Sequence, residues 1–338
     1  MKIKQYLTII LTLIIVVALI SVAFSFYLFK VDPKQSELKV SSNPLLWKIE
    51  GDNPSYLYGS IHVGTEEILT IPDVVMNAID EVDVVYTEVK FDEETQTQTL
   101  YLSLLPAGQT LEGILPQDVA NSLNSYLNTK DLSLTAFNSF KIWVVVTNLL
   151  RIEYPEYFLK PALDQYVWNI AIKKGKDTNG LETVEEQIGI FDSLTLEEQI
   201  QLLNDSLTDL NEGLIDNEDP MDIMINAYLE GDIETFQEIE YQDYNVTDPL
   251  YEKLLRKILT YRNYNMTQRI SYLITNNPDT QYFFTIGSAH YYGEDGLITL
   301  LEKKGYNVTR VHFNKCSSCE CEKDEIKIKD RCYIPYEK

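Results

Sequence analysis

Hydrophobic and polar positions recur along this chain with two periods, and the switches between them mark out its elements. Leu45-Leu46-Trp47-Lys48-Ile49 and Ser55-Tyr56-Leu57-Tyr58 read as strands joined by the turn residues Asp52-Asn53-Pro54. That predicts a hairpin whose second strand ends at Gly59. From Pro72 to Asp80, Val74, Val75, Ala78 and Ile79 fall at helical spacing. Val82 to Val89 is a β-branched run bounded by acids, the pattern of a buried strand, and it carries Glu88 near its end. Strand, helix and strand in that order predict a parallel crossover.

The middle of the chain is helical by the same test. Gln117 to Leu127, Leu134 to Arg151 and Ala162 to Lys174 each keep a helical period. Asp164 opens the last of these and reads equally as a helix cap or a site residue. Gly180-Leu181-Glu182-Thr183 follows a short polar turn, and Thr195-Leu196-Glu197-Glu198 is a capping box that opens another helix. Further helices are expected over 220–230 and 248–274, the second containing Arg262 and Asn263. The end of the chain reads as strand 281–286, a glycine-containing loop 287–296, helix 297–304 stopped by Gly305, and strand 307–313. The sum is an α/β fold. Its expected core is a mostly parallel sheet built from two related halves, with a large helical middle section.

The first residues have a different pattern. Lys2 and Lys4 precede an uncharged run from Tyr6 to Phe29, closed by Lys30. At 1.5 Å per residue such a run spans roughly 30 Å of hydrocarbon. Residues 1–31 are therefore expected to be a single-pass anchor crossing the membrane through 6–29, with Ser21-Val22-Ala23 as the cleavage site of the alternative, a removed signal. The lysines place the N-terminus inside and the rest outside the cell membrane. Residues 32–44, with Pro33 and Pro44, read as a stalk, 45–313 as the folded domain, and 314–338 as a tail. Cys316, Cys319, Cys321 and Cys332 all lie in that tail, where an oxidising environment favours two disulfides of undetermined connectivity.

Charge narrows the function. There are 28 Lys+Arg against 52 Asp+Glu, a net −24, which repels phosphate backbones and excludes nucleic acid as a partner. The chain has only 3 histidines. Two of them, His62 and His290, close the same motif, Gly59-Ser60-Ile61-His62 and Gly287-Ser288-Ala289-His290, each directly after an aromatic-rich strand. Ligands of open α/β sheets bind beyond the carboxyl ends of strands, so the two motifs are expected to form one site. Ser60 and Ser288 shape the loops, and His312 in the last strand reads as structural or exposed. No G-x-S-x-G, H-E-x-x-H or phosphate-binding glycine loop occurs.

An ordered set of motifs resembles the TraB/GumN family, whose branches include Tiki-like and PrgY-like proteins. It begins with Leu46-Trp47-Lys48-Ile49 and Tyr56-Leu57-Tyr58-Gly59-Ser60-Ile61-His62-Val63-Gly64. Val84-Val85-Tyr86-Thr87-Glu88, Gly180-Leu181-Glu182-Thr183 with Gln187, and Ala227-Tyr228-Leu229-Glu230-Gly231-Asp232 follow. Arg262-Asn263 and Phe283-Phe284-Thr285-Ile286-Gly287-Ser288-Ala289-His290 complete it. The sequence departs from the family at Tyr261, where Glu is frequent, and the cysteine tail lies outside the likeness.

The resemblance implies a fold related to erythromycin-esterase and ChaN-like proteins, and a cleft joining both histidine motifs to acidic partners. On it, His62, Glu88, Glu182 and His290 would hold a divalent metal (Mn, Co or Zn), with Arg262 and Asn263 orienting the reacting groups. The implied activity is metal-dependent hydrolysis of a peptide or protein substrate. A metal-free variant would have the histidines trade protons. The alternative from another class is a non-catalytic protein that sequesters secreted peptide signals in the same cleft.

The anchor reading has a direct check. A reporter fused after Lys338 is expected to be active only outside the membrane; activity in the cytoplasm would overturn both the orientation and the disulfides.

Overall fold

The computed structural model describes residues 39–212, 219–235, 248–312, 326–328 and 331–334. The expected anchor and the side chains of the four cysteines lie outside the described residues. Among the described residues, no helix is long and apolar enough to cross a membrane.

The strands are β1 Leu46–Ile49, β2 Ser55–Ser60, β3 Ile71–Pro72, β4 Val84–Thr87, β5 Asp177–Gly180, β6 Tyr282–Gly287, β7 Val308–Arg310, β8 Ile326–Ile328 and β9 Arg331–Ile334. Six of them form one sheet in the order β5-β4-β6-β2-β1-β7. The pairs β5–β4, β4–β6 and β6–β2 are parallel, and β1 is antiparallel to both β2 and β7. Five strands thus run one way and β1 alone opposes them. The expected mostly parallel α/β sheet is what the chain forms, and the 45–60 hairpin is as read.

The longer helices are α1 Asp73–Glu81, α2 Glu93–Ser103, α3 Gln117–Thr129, α4 Ile142–Glu153, α5 Leu163–Lys173, α6 Val184–Asp192, α7 Leu196–Glu212, α8 Pro220–Glu230, α9 Pro249–Leu255, α10 Arg262–Asn276 and α11 Leu297–Lys303. The crossover β2-α1-β4 steps along the sheet in one direction, and β6-α11-β7 steps in the other. The chain therefore diverges between β2 and β6. In an open α/β sheet this switch point leaves a crevice at the strands' carboxyl ends. β2 and β6 are adjacent, with Ser60 opposite Gly287, so both Gly-Ser-x-His motifs leave the sheet side by side at that crevice.

Two apolar cores are built. One lies about the sheet and includes Leu57, Ile79, Val85, Phe283 and Phe284. The other lies within the helical section, where α4 buries Trp143, Val144, Val145 and Leu149 against α3, α7 and α9 residues. Burial of α4 on nearly every side explains why its sequence is apolar beyond one helical stripe.

Three sequence readings change. The helix expected over 134–151 is broken: a 3-10 turn at Leu134–Phe137 is separated from α4 by an extended Lys141. The break is tertiary, because Lys141 N–H donates to Ser103 O at 2.9 Å and Leu105 N–H to Ser139 O at 2.9 Å. The polar stretch before Gly180, read as a turn, forms with Gly180 the edge strand β5, its Asp, Asn and Gly overridden by parallel pairing with β4. The helix over 248–274 is one rod, but a π-helical turn at Arg256–Tyr261 interrupts it. The backbone of the tail also takes part in the fold. β8 and β9 form a hairpin whose second strand pairs with β3, and Tyr333 Oη donates to Ser41 O at 3.0 Å.

The first histidine loop rests on a close backbone contact. Gly64 N–H donates to Tyr157 O at 2.9 Å, and a Cβ on Gly64 would lie 2.2 Å from Lys160 O and 2.4 Å from Pro161 O. Gly64→Ala must therefore push apart the His62 loop and the segment leading to α5. A loss of roughly 1–3 kcal/mol is expected, read as a lower denaturant midpoint; an unchanged midpoint would refute the contact.

Candidate active site

Each site residue is placed by a short local device. The β4–β5 ladder runs on past the strands: Leu181 N–H donates to Thr87 O at 2.9 Å and Glu182 N–H to Glu88 O at 2.7 Å. That pairing sets the two glutamates beside each other at the carboxyl end of the sheet. Thr183 then caps α6 through a capping box with Glu186. From the other side, the π-helical turn inserts an extra residue just before Arg262 and so re-aims the start of α10.

The guanidinium of Arg262 fills the space between the glutamates. Its Nη2 donates to Glu88 Oε2 at 2.5 Å and Glu182 Oε2 at 2.6 Å, and its Nε lies 3.0 Å from both Glu182 oxygens. Gln187 Nε2 donates to both carboxylates at 3.1 Å. Glu88 Oε1 accepts the Gly287 N–H at 2.7 Å, which joins this cluster to the second histidine motif. All of these side chains are buried. Burial alone would raise the Glu88 pKa, but Arg262, then the histidines and the Gly287 N–H, outweigh it and hold the carboxyl at about 2. Burial would lower the Arg262 pKa, and the two glutamates reverse that, so it stays charged.

The two histidines are buried and backed by different partners. His290 Nδ1 lies 2.6 Å from Asn263 Oδ1. Asn263 Nδ2 donates to Asp295 O at 2.9 Å, which fixes its amide orientation and makes Oδ1 the acceptor. His290 therefore carries its proton on Nδ1 and presents a bare Nε2. Burial first, and Arg262 second, push the His290 pKa down to about 3, so the ring is neutral. His62 Nδ1 instead faces Asp164 Oδ2 at 3.2 Å, an ion-pair separation without hydrogen-bond alignment. Burial would lower the His62 pKa, but Asp164 and then Glu88 raise it overall. Leu163 N–H donates to Ile61 O at 3.4 Å, so the start of α5 is held against the His62 loop and Asp164 arrives beside the ring.

The expectation that the two motifs share a site is carried by one point in space. A Cβ on Gly287 would lie 3.1 Å from Glu88 Oε1, 3.6 Å from His290 Cδ2 and 3.8 Å from His62 Nε2. Both Nε2 atoms are buried without a hydrogen-bond partner, and His290 Nε2 is 3.9 Å from Glu88 Oε1. Glycine at 287 keeps that point open. Two imidazole nitrogens and a carboxylate suit a divalent transition metal by donor type. Among the described residues, no three His, Cys, Asp or Glu groups are already spaced to hold one. Both Glu182 oxygens are taken by Arg262.

Sequence reasoning left Asp164 open between cap and site; Ala162 is the residue before α5, and Asp164 is buried against His62. It missed Gln187 as the bridge between the carboxylates, although the residue accompanies Gly180-Leu181-Glu182-Thr183 in the family-like set. Ser60, the last residue of β2, and Ser288, the first of the 3-10 turn after β6, are buried, and His312 is exposed.

The TraB/PrgY/gumN family model matches residues 45–310. Metalloprotease TIKI1 of Danio rerio is 28% identical over 310 residues, covering 79% of this chain and 63% of the relative. Metalloprotease TIKI1 of Homo sapiens is 27% identical over 321 residues, covering 82% and 63%. The uncharacterized protein YbaP of Shigella flexneri is 21% identical over 255 residues, covering 75% and 89%. The chain thus spans under two thirds of the length of the TIKI1 relatives. No solved structure matches.

The buried charges make stability depend on acid in a defined window. A folded His290 pKa of about 3, below the ordinary 6.5, gives stability that is full above 6.5 and lost as pH falls towards 3. Glu88, at about 2 against 4.5, adds a loss between those values. His62 acts oppositely, contributing below 6.5 and losing that as pH rises through its raised value. Denaturant midpoints of His290→Asn are expected to fall less than wild type between pH 6.5 and 4.5; parallel curves would refute a neutral buried His290.

Proposed function

The chain belongs to the TraB/PrgY/gumN family, and we propose that it is a metal-dependent peptidase, anchored in the cell membrane through residues 6–29 with its folded domain outside. The observation that carries this reading is the pair of buried, unpartnered Nε2 atoms of His62 and His290 converging with Glu88 Oε1. That the TIKI1 relatives are metalloproteases by name supports the same chemistry.

His62, His290 and Glu88 would hold the metal. Its contribution when bound is Lewis acidity toward a peptide carbonyl and an attacking water. The protein's own residues do the rest. Asn263 fixes the His290 imidazole so that its Nε2 lone pair points into the site, and Asp164, beside His62 Nδ1, leaves the His62 Nε2 on the site side of the ring. Arg262 holds Glu88 ionised and, with Glu182 taking its other donors, keeps that carboxylate from rotating away. Glu182 thus anchors the arginine, a narrower role than metal ligand. Burial of the cluster excludes bulk water and strengthens each of these interactions.

The test is the purified full-length chain on a mixed peptide library, with chelator and with added Mn, Co or Zn. Cleavage is expected only with metal, and His62→Ala or His290→Ala should reduce it by more than about a hundredfold at retained fold. Cleavage indifferent to chelator would overturn the metal. Peptide binding without cleavage under any condition would favour sequestration.

A further inference from the structure

A notch of about 490 Å3 opens between the edge of the sheet and α10, apart from the histidine site. That volume lies in the range of ligand pockets. One wall is the sheet, through Tyr86 of β4 and its register partner Asn179 of β5. The other is α10, through Asn265, Gln268, Arg269 and Tyr272. No carboxylate lines the notch, in a chain of net charge −24.

The lining chemistry narrows the ligand. Arg269 is already committed: it donates to Glu186 and, at 2.6 Å, to Leu181 O. A free anion is therefore not what the notch selects. Asn179 is committed in part as well, its Oδ1 accepting the Gly180 N–H at 2.9 Å, so what remains is two exposed carboxamides, Asn265 and Gln268, beside two phenol rings. A carboxamide carries the same donor and acceptor as a peptide bond and can pair with both at once. The rings supply flat apolar faces, and Tyr272 is 66% exposed. β5 is also an edge strand, paired only with β4 among the described residues, so one more extended strand can add there.

Position ties the notch to the candidate site. Leu181, in its lining, precedes Glu182, and Arg262 begins the helix that forms its other wall. At 1.5 Å per residue, Asn265 and Tyr272 lie roughly 5 and 15 Å along α10 from Arg262. An extended chain covers that distance in about two to five residues. We propose that the notch is a subsite for an extended peptide, seating the substrate residues about two to five positions from the bond held at the histidines. The inference rests on the peptidase reading and adds a length requirement to it.

The experiment uses the full-length chain and end-capped degenerate libraries of tripeptides and octapeptides. Two variants change exposed positions only: the double variant Asn265→Ala with Gln268→Ala, and Tyr272→p-benzoylphenylalanine for photo-crosslinking. Octapeptides are expected to show a KM about tenfold below tripeptides, the double variant to erase that gap, and the crosslinker to capture octapeptides. Equal KM for both lengths with no adduct would overturn the notch and leave hydrolysis standing. Octapeptide adducts that the double variant abolishes, without any cleavage, would keep the notch and overturn hydrolysis. Neither adduct nor cleavage overturns both, and adducts competed away by glycans but not by peptides overturn the substrate class.

Discussion

One guanidinium organises this site. Arg262 lies between Glu88 and Glu182, which come from the ends of neighbouring strands, while the arginine comes from a helix far along the chain. Three buried charges in contact are unfavourable to desolvate, and such a group persists only when every donor and acceptor is matched. Here the matching is close to complete. Arg262 divides its donors between the two carboxylates, Gln187 bridges them, and Gly287 N–H takes the remaining face of Glu88. Losing one partner of such a group costs about 3–5 kcal/mol, because the others remain buried. The orientation of Glu88, the seating of the second histidine loop and the start of α10 are therefore one coupled arrangement.

That coupling explains the unlike histidines. His290 sits close to Arg262, and a second cation beside it is unfavourable; a neutral amide, Asn263, backs its ring. His62 lies on the side of Asp164, where a carboxylate backs the ring and offsets burial. Asp164 itself has an electrostatic counterpart in Arg151 of the neighbouring helix α4. The site therefore balances one carboxylate-arginine group near His290 against another near His62, with the two Nε2 atoms, neither hydrogen-bonded, between them.

Much of this was legible because it follows from short-range rules. Strands flanked by Gly-Ser-x-His placed both histidines at strand ends, and parallel β2 and β6 brought those ends together. The capping box at Thr195 forms as read. What could not be read locally depended on partners distant in sequence. Asp177, Asn179 and Gly180 are poor strand formers, and the segment becomes a strand because β4 offers a free edge. The helix over 134–151 breaks because residues 103–105 capture the backbone of 139–141. Asp164 resembled a helix cap because position alone is what the sequence gives; its service to His62 depends on the Leu163 to Ile61 contact.

The two motifs are close to identical as sequence, and the sheet gives them matching backbone positions. Their difference is supplied from behind. The His62 loop is packed against the segment that enters α5, with Gly64 pressed on the carbonyls of Lys160 and Pro161. The His290 loop is packed against α10, with Tyr291 stacked on Trp47 at 4.8 Å and Asn263 beneath the ring. α5 and α10 both belong to the long stretch between the motifs. A repeated strand-loop unit by itself would yield two equivalent imidazoles. Inserting the helical section between the copies is what lets each be held by a different side chain, one charged and one neutral, around a common point.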